Sequence, residues 1–269
     1  MFILFDIGGT KIRISSSLDL KSFSEPKIFS NSGSFEESFS LMKKIILEIS
    51  GGQKIEAVCG GVAGMLNKEK TGLLNSQNMP DWEGKLFGKD LSDFLNCPVY
   101  LENDADIIGL GEAVYGSGVD YSIVSYLTVS TGVGGARIVD GKIDRNSFGF
   151  EPGHHIIDKE NNHDLEWFIG GASMEKRFGR PSKEIKDEQF WDDFAKTLAV
   201  GLRNISVFWS SEIIVLGGAI SLTDLPLEKV KKYFEVQMKE VGYLQELKLA
   251  SLGDVGGLYG AMAYLKDKR

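Results

Sequence analysis

Cysteine is nearly missing from this chain: its 269 residues include two, Cys59 and Cys97. That excludes a disulfide-built scaffold of the kind small secreted domains use. Both cysteines lie in apolar, strand-like contexts, AVCGGV and LNCPVY, and are expected as buried thiols. Runs of Lys and Arg are missing too, and the net charge is −8. Phosphate backbones call for clustered cations, so nucleic-acid binding is excluded. No apolar run is long enough to span a bilayer. The opening MFILFDIGG carries neither a charged leader nor a cleavage site and reads as a buried first strand, which gives a cytoplasmic chain with no membrane role. What is present is ordinary: 42% hydrophobic and 25% charged residues, in a length that suits one large domain or two modest ones.

Apolar periodicity places the elements. FILFDI (2–7) is a short apolar run stopped by Gly8-Gly9-Thr10, after which KIRISSS alternates, so a hairpin is expected. Residues 35–50 have a helical period and are stopped by Gly51-Gly52. A strand at 55–63, a helix at 88–96, the strand PVYLEN and a helix from Ala105 to Tyr115 follow. Then the opening pattern returns: SIVSYLTV is a strand, STGVGG a turn, and ARIVDGKI a strand with an Asp140-Gly141 turn signal. A strand–glycine turn–strand unit thus recurs about 120 residues after the first, as an α/β protein of two similar halves would require. Helices are expected at 164–178, 187–209 and 227–240, a strand at IIVLGGAI, and a small-residue helix at the end. Segment 194–209 suits either the core or a homodimer face.

Three glycine turns, DIGGTK (6–11), STGVGG (130–135) and LGGA (216–219), follow apolar strands. Glycine lets backbone amides approach a ligand closely, so such turns suit phosphate. On so acidic a chain, a phosphate site must rely on amides and Mg²⁺ rather than on a basic patch. The turns are not a P-loop, because GxxxxGK[ST] is absent, and 130–135 lacks the dinucleotide fingerprint spacing.

DIGGTK, ENDA (102–105), STGVGG and EPGH (151–154), in this order and at these separations, resemble the ROK family of sugar kinases, a branch of the hexokinase–actin superfamily. The resemblance extends over essentially the whole chain. It implies two RNase-H-like (actin-like ATPase) lobes around a central nucleotide cleft: a small lobe of 1–105 plus 254–269, and a large lobe of 106–253. It also implies that Gly8, Gly9, Thr10 and Lys11 face the β/γ-phosphates of ATP and that Asp6 helps hold Mg²⁺ through water. Thr131, Gly132 and Gly134 would cradle the phosphates from the other side, with Gly217 and Gly218 bordering the adenosine.

Phosphoryl transfer to an alcohol needs a base near the hydroxyl, in-line placement and charge neutralisation. Asn103 and Asp104, between a strand and a helix start, are both good residues for a plain helix cap; the resemblance makes Asp104 the catalytic base and Asn103 a hydroxyl ligand. Glu151, His154, Glu166 and Asn78 are the implied further sugar contacts. Read without the resemblance, Glu151 is a loop acid, His154 a structural histidine and Glu166 a solvent-facing helix residue. Many members of the family carry a cysteine-rich motif after ExGH that holds a structural zinc. Here EPGHHIIDKENNHDLEW runs on with no cysteine between 98 and 269, so no structural zinc is expected and Glu166 should be positioned by helix packing alone. The expected activity is ATP- and Mg²⁺-dependent phosphorylation of a hexose, glucose at O6, with other hexoses or an N-acetylhexosamine as alternatives. A non-catalytic sugar sensor and a polyphosphate-dependent kinase are the rival readings.

Overall fold

The computed structural model describes residues 1–269 and divides into two compact units. The first comprises Met1–Tyr115, Arg145–Gly149 and Leu252–Arg269; the second comprises Gly116–Asp144 and Phe150–Ser251.

Unit 1 runs β1 (Phe2–Ile7), β2 (Lys11–Ser17), β3 (Lys27–Ser30), α1 (Phe35–Ser50), β4 (Ala57–Val62), a small hairpin of β5 (Met65–Leu66) and β6 (Leu73–Asn75), α2 (Phe87–Leu95), β7 (Val99–Asn103) and α3 (Asp104–Tyr115). Its sheet has the order β3-β2-β1-β4-β7. The pairs on the β3 side of β1 are antiparallel, and β1, β4 and β7 run parallel. β1 is buried at every residue, as a central strand covered on both faces must be. The helix α1 forms where its period predicts. Ser34 caps its first turn, Gly51 ends it with φ 53°, and Phe35, Phe39, Met42, Ile45 and Ile46 form one buried stripe. Phe35 and Phe87 both meet Trp82 edge-on, at 5.0 and 5.2 Å between ring centroids.

Unit 2 runs β8 (Ile123–Val129), β9 (Val133–Val139), β10 (Lys142–Ile143), the small pair β11 (Ile156–Asp158) and β12 (His163–Asp164), α4 (Leu165–Ile169), α5 (Gly171–Phe178), α6 (Glu188–Trp209), β13 (Ile213–Gly217), α7 (Ala219–Thr223), α8 (Leu227–Met238) and β14 (Glu246–Leu249). Its sheet, β10-β9-β8-β13-β14, repeats the pattern of unit 1, antiparallel up to β8 and parallel from β8 to β14. α6 turns Phe194, Leu198, Leu202 and Ile205 into the core, and only its last turn exposes large apolar groups, Val207 and Phe208.

The helix expected at 164–178 is two helices. Gly170 adopts an extended conformation (φ −70°, ψ 134°), which lets the amides of Gly171 and Ala172 donate to the carbonyls of Ser130 and Thr131 at 2.7 and 2.9 Å. The break therefore ties the start of α5 to a glycine turn.

The chain returns to unit 1 for α9 (Gly256–Asp267), which packs on β1, β4 and α3. The contact between α9 and α3 is backbone to backbone: a Cβ on Gly260 would lie 1.7 Å from the Ile107 carbonyl oxygen. Both cysteines are buried free thiols, and burial pushes each pKa up. No helix is long and apolar enough to cross a membrane.

Candidate active site

In unit 1 the relevant residues gather at one end of the sheet. Ile7, Val62 and Asn103 are register partners across the parallel strands β1, β4 and β7. Asp6 and the turn at 8–10 therefore share an edge with Asn103 and Asp104, at a spacing of about 10 Å between the outer two strands. Carboxyl ends of parallel strands are where open α/β sheets bind ligands.

The first glycine turn is braced from inside. Asn31 donates its side-chain amide to the Gly8 carbonyl at 2.9 Å, and its backbone N–H to the Thr10 carbonyl at 2.9 Å. The amide of Gly8 donates to Lys11 O at 2.9 Å. The Gly8 and Thr10 carbonyls are thus occupied, while Thr10 and Lys11 expose donor side chains. That donor set fits an anion such as a nucleotide phosphate. Gly9 lies against Asn78, whose Cβ would be 2.8 Å from a Cβ placed there, so the exposed Asn78 flanks the turn.

Asp6 is buried, and burial raises its pKa while the Arg13 guanidinium pulls it back. Arg13 donates to Asp6 Oδ2 at 3.1 Å and pairs with the exposed Asp254 at 3.1 Å. A carboxylate already shared with a guanidinium suits a metal contact through water better than direct ligation. Arg13 escaped notice in the sequence, yet the hairpin register pairs it with Asp6 and so puts both side chains on one face.

Asn103 ends β7 at the head of α3. Its Oδ1 accepts the backbone N–H of Ala105 at 2.8 Å and its amide nitrogen donates to Gly64 O at 3.0 Å. The same Ala105 amide lies 2.9 Å from Asp104 Oδ1, so both Asn103 and the half-buried Asp104 take part at the head of α3. Glu102, the first residue of ENDA, is buried and ion-paired with Lys70, which makes it structural.

In unit 2, Thr131 and Gly132 form the tip between β8 and β9, Gly134 lies early in β9, and Gly217 ends β13. Gly217 is the register partner of Thr128, so these turns share an edge as well. Gly218 has φ 86°, and a Cβ there would sit 2.4 Å from Val129 O; only glycine fits.

Glu166 stands on α4 and accepts the Val133 amide through Oε2 at 2.7 Å. The same oxygen would be 2.6 Å from a Cβ on Gly132, so the acid lies directly on the glycine turn. Packing alone is thus not what places Glu166: it has its own hydrogen bond, a link that residue spacing does not reveal. Glu151 and His154 flank the short turn at Pro152–His154, which lies against β9. The Glu151 carboxyl is pushed up by desolvation and by Glu166, with His154 opposing. His154 is raised, chiefly by its hydrogen bond to Asp164 (Nδ1 to Oδ2, 2.9 Å), with Glu166 and Glu151 adding. A burial-lowered His155 and a His163 stacked on Trp167 complete the histidines.

A model of the ROK family matches residues 3–268. The chain belongs to the ROK family. It is 28% identical over 302 residues to an N-acetyl-D-glucosamine kinase of Histophilus somni, covering 98% of each chain. A ROK hexokinase from Thermus thermophilus superposes with a TM-score of 0.86 at 25% identity, covering 99% of both chains. A ROK family glucokinase from Streptomyces griseus, solved with glucose and AMPPNP, gives a TM-score of 0.80 at 22% identity over 100% of this chain and 99% of that one. Two five-stranded sheets with nine α-helices are the actin-like ATPase fold of the ROK sugar kinase structures. Within this ROK chain no three His, Cys, Asp or Glu side chains converge as a metal cluster. Around β12 and α4 it carries the His154–Asp164 pair and the ring stack of His163 on Trp167, 3.7 Å apart, with Arg177 over Trp167 at 4.2 Å.

Proposed function

We propose that this chain transfers the γ-phosphoryl group of ATP to a hydroxyl of a hexose. The observation that carries the reading is the place of Asp104, directly after β7 at the sheet edge it shares with Asp6 and the glycine turn at 8–10. Asp104 acts as the general base, taking the proton from the acceptor hydroxyl as its oxygen attacks. Asn103, Glu151, His154, Glu166 and Asn78 hold the other hydroxyls. Carboxylates that accept from vicinal hydroxyls suit a polyol, and burial pushes the Glu151 pKa up, so hydroxyl donors there would offset the cost of its charged form.

Bound ATP with Mg²⁺ supplies the phosphoryl group and neutralises its charge. The residues for it are Gly8, Gly9, Thr10 and Lys11 in one turn, Thr131, Gly132 and Gly134 in the other, and Gly217 and Gly218 beside the nucleoside. Asp6, tempered by Arg13, holds the ion through water. Glucose, phosphorylated at O6, is the first acceptor. N-acetyl-D-glucosamine is the second, favoured by the activity named for the H. somni relative.

The test is a panel of hexoses and N-acetylhexosamines, assayed by ADP release with ATP and by sugar phosphate formation with polyphosphate, each with Mg²⁺ or EDTA. Turnover with glucose or N-acetylglucosamine, dependent on ATP and Mg²⁺, is expected. Absence of turnover with every pair sinks the kinase reading.

A further inference from the structure

Asp164 is an acid with no part in the chemistry described above, yet both its carboxylate oxygens are engaged. Oδ1 accepts the Trp167 amide at 2.8 Å and so caps α4; Oδ2 lies 2.9 Å from His154 Nδ1. Asp164 also pairs with Ile156 between β12 and β11, and the next residue, Leu165, donates its amide to His155 O at 3.1 Å. The acid is thus fixed by a strand on one side and a helix on the other. Glu166 is the second residue of the helix it caps, and Trp167, whose amide it receives, is clamped between His163 and Arg177.

The other two histidines are committed elsewhere. His155 Nδ1 bonds the Pro152 carbonyl, and His163 stacks on Trp167 with Asp158 at 3.8 Å. His154 alone has a half-open ring, 52% exposed, oriented by a carboxylate. A ring that donates Nδ1–H to a carboxylate turns its Nε2 away from it.

We infer that Asp164 is the positioning residue of the acceptor site: it orients His154 so that Nε2 meets a sugar hydroxyl, and it anchors the first turn that carries Glu166. The inference rests on the reading above, in which His154 and Glu166 touch the sugar. Around His154 the charged groups are Asp164, Glu166 and Glu151, all acids, and all favour the imidazolium. Neutral His154 accepts a hydroxyl proton at Nε2 and protonated His154 donates there; in both states Nδ1–H stays on Asp164. One side chain thereby couples two sugar contacts that are 12 residues apart in sequence.

The experiment uses the full chain, ¹⁵N NMR of the imidazole nitrogens and steady-state kinetics, with His154→Gln to assign the resonance. In the wild type above the His154 pKa, the Nδ1–H tautomer is expected. Asp164→Asn keeps a good N-cap but points an amide N–H at Nδ1, so the proton should move to Nε2. The KM for sugar should rise about tenfold with kcat within about twofold, since binding is lost and the base is untouched. His154→Gln should raise the sugar KM as well. A wild-type Nε2–H tautomer, or an Asp164→Asn variant with unchanged tautomer or KM, overturns the role of Asp164 while leaving the kinase reading intact. An unchanged sugar KM in His154→Gln removes His154 as a sugar contact, and the inference falls with it.

Discussion

The two glycine turns sit at equivalent places in two sheets of the same topology, but they are held in different ways. In unit 1 the turn at 8–10 is tied by the side chain and backbone of Asn31, and the buried Asp6 beneath it is tied by Arg13. In unit 2 the turn at 130–132 is tied by the opening amides of α5 and by Glu166. The first turn is therefore independent of any proposed sugar ligand on its own unit, except for flanking Asn78. The second is bonded to one directly. A shift of Glu166 on sugar binding must be felt at the turn proposed to receive phosphate, whereas the first turn has no such link.

Variants can break this contrast, and the largest effect lies at the proposed base. Asp104→Asn should lower kcat by about 100-fold or more, with sugar affinity by calorimetry nearly unchanged; near-normal kcat would remove Asp104 from the mechanism. Next comes the charge that braces unit 1. Arg13→Met leaves a buried carboxylate unpaired and should cost about 3 kcal/mol in urea unfolding. Adding Asp6→Asn should restore much of that loss. By contrast, Asp254→Ala, at the exposed end of the same network, should stay within about 0.5 kcal/mol. If Arg13→Met is neutral, the ion pair does not hold the first turn.

A smaller effect separates the turns themselves. Gly132→Ala places a methyl against the movable end of Glu166, so the melting temperature should hardly change while the sugar KM rises about tenfold, the loss of one charge-assisted contact. Gly8→Ala meets nothing nearer than Lys11 O at 3.5 Å and should leave both the fold and the sugar KM unchanged. Equal sugar KM changes in the two variants would erase the distinction.

The smallest effect is one of pH. His154 has a folded-state pKa above 6.5, so its contribution to stability is complete below the unfolded pKa and is lost as pH rises through the folded one. The wild type should therefore lose a little stability relative to His154→Gln as pH increases from about 6.5. The ring is half exposed, so solvent screens most of this. A difference that grows in the opposite direction would contradict the orientation of His154 by Asp164.

Much of this was legible in the sequence, for reasons that are local. The burial of β1, the helix at α1 with its Ser34 and Gly51 caps, and the paired hairpins each follow from periodicity and a stop signal within a few residues. The positions of Asp6, Asp104, Gly132 and Gly217 at strand ends follow in the same way. The break at Gly170 was not legible, because what favours it is a pair of carbonyls some 40 residues upstream. The engagements of Arg13 and Asp164 were hidden for a related reason. Each depends on which side-chain atoms are already engaged, and residue types at a given spacing do not record that.

The glycine contact between α3 and α9 also bears on how the protein is made. α9 covers β1 and β4 and lies backbone to backbone on the helix that begins with Asp104, yet it leaves the ribosome after every strand it covers. All of unit 2 is synthesised before that helix. β1 therefore waits for α9, and α3, with Asp104 at its head, gains its close-packed neighbour only when translation has passed residue 260.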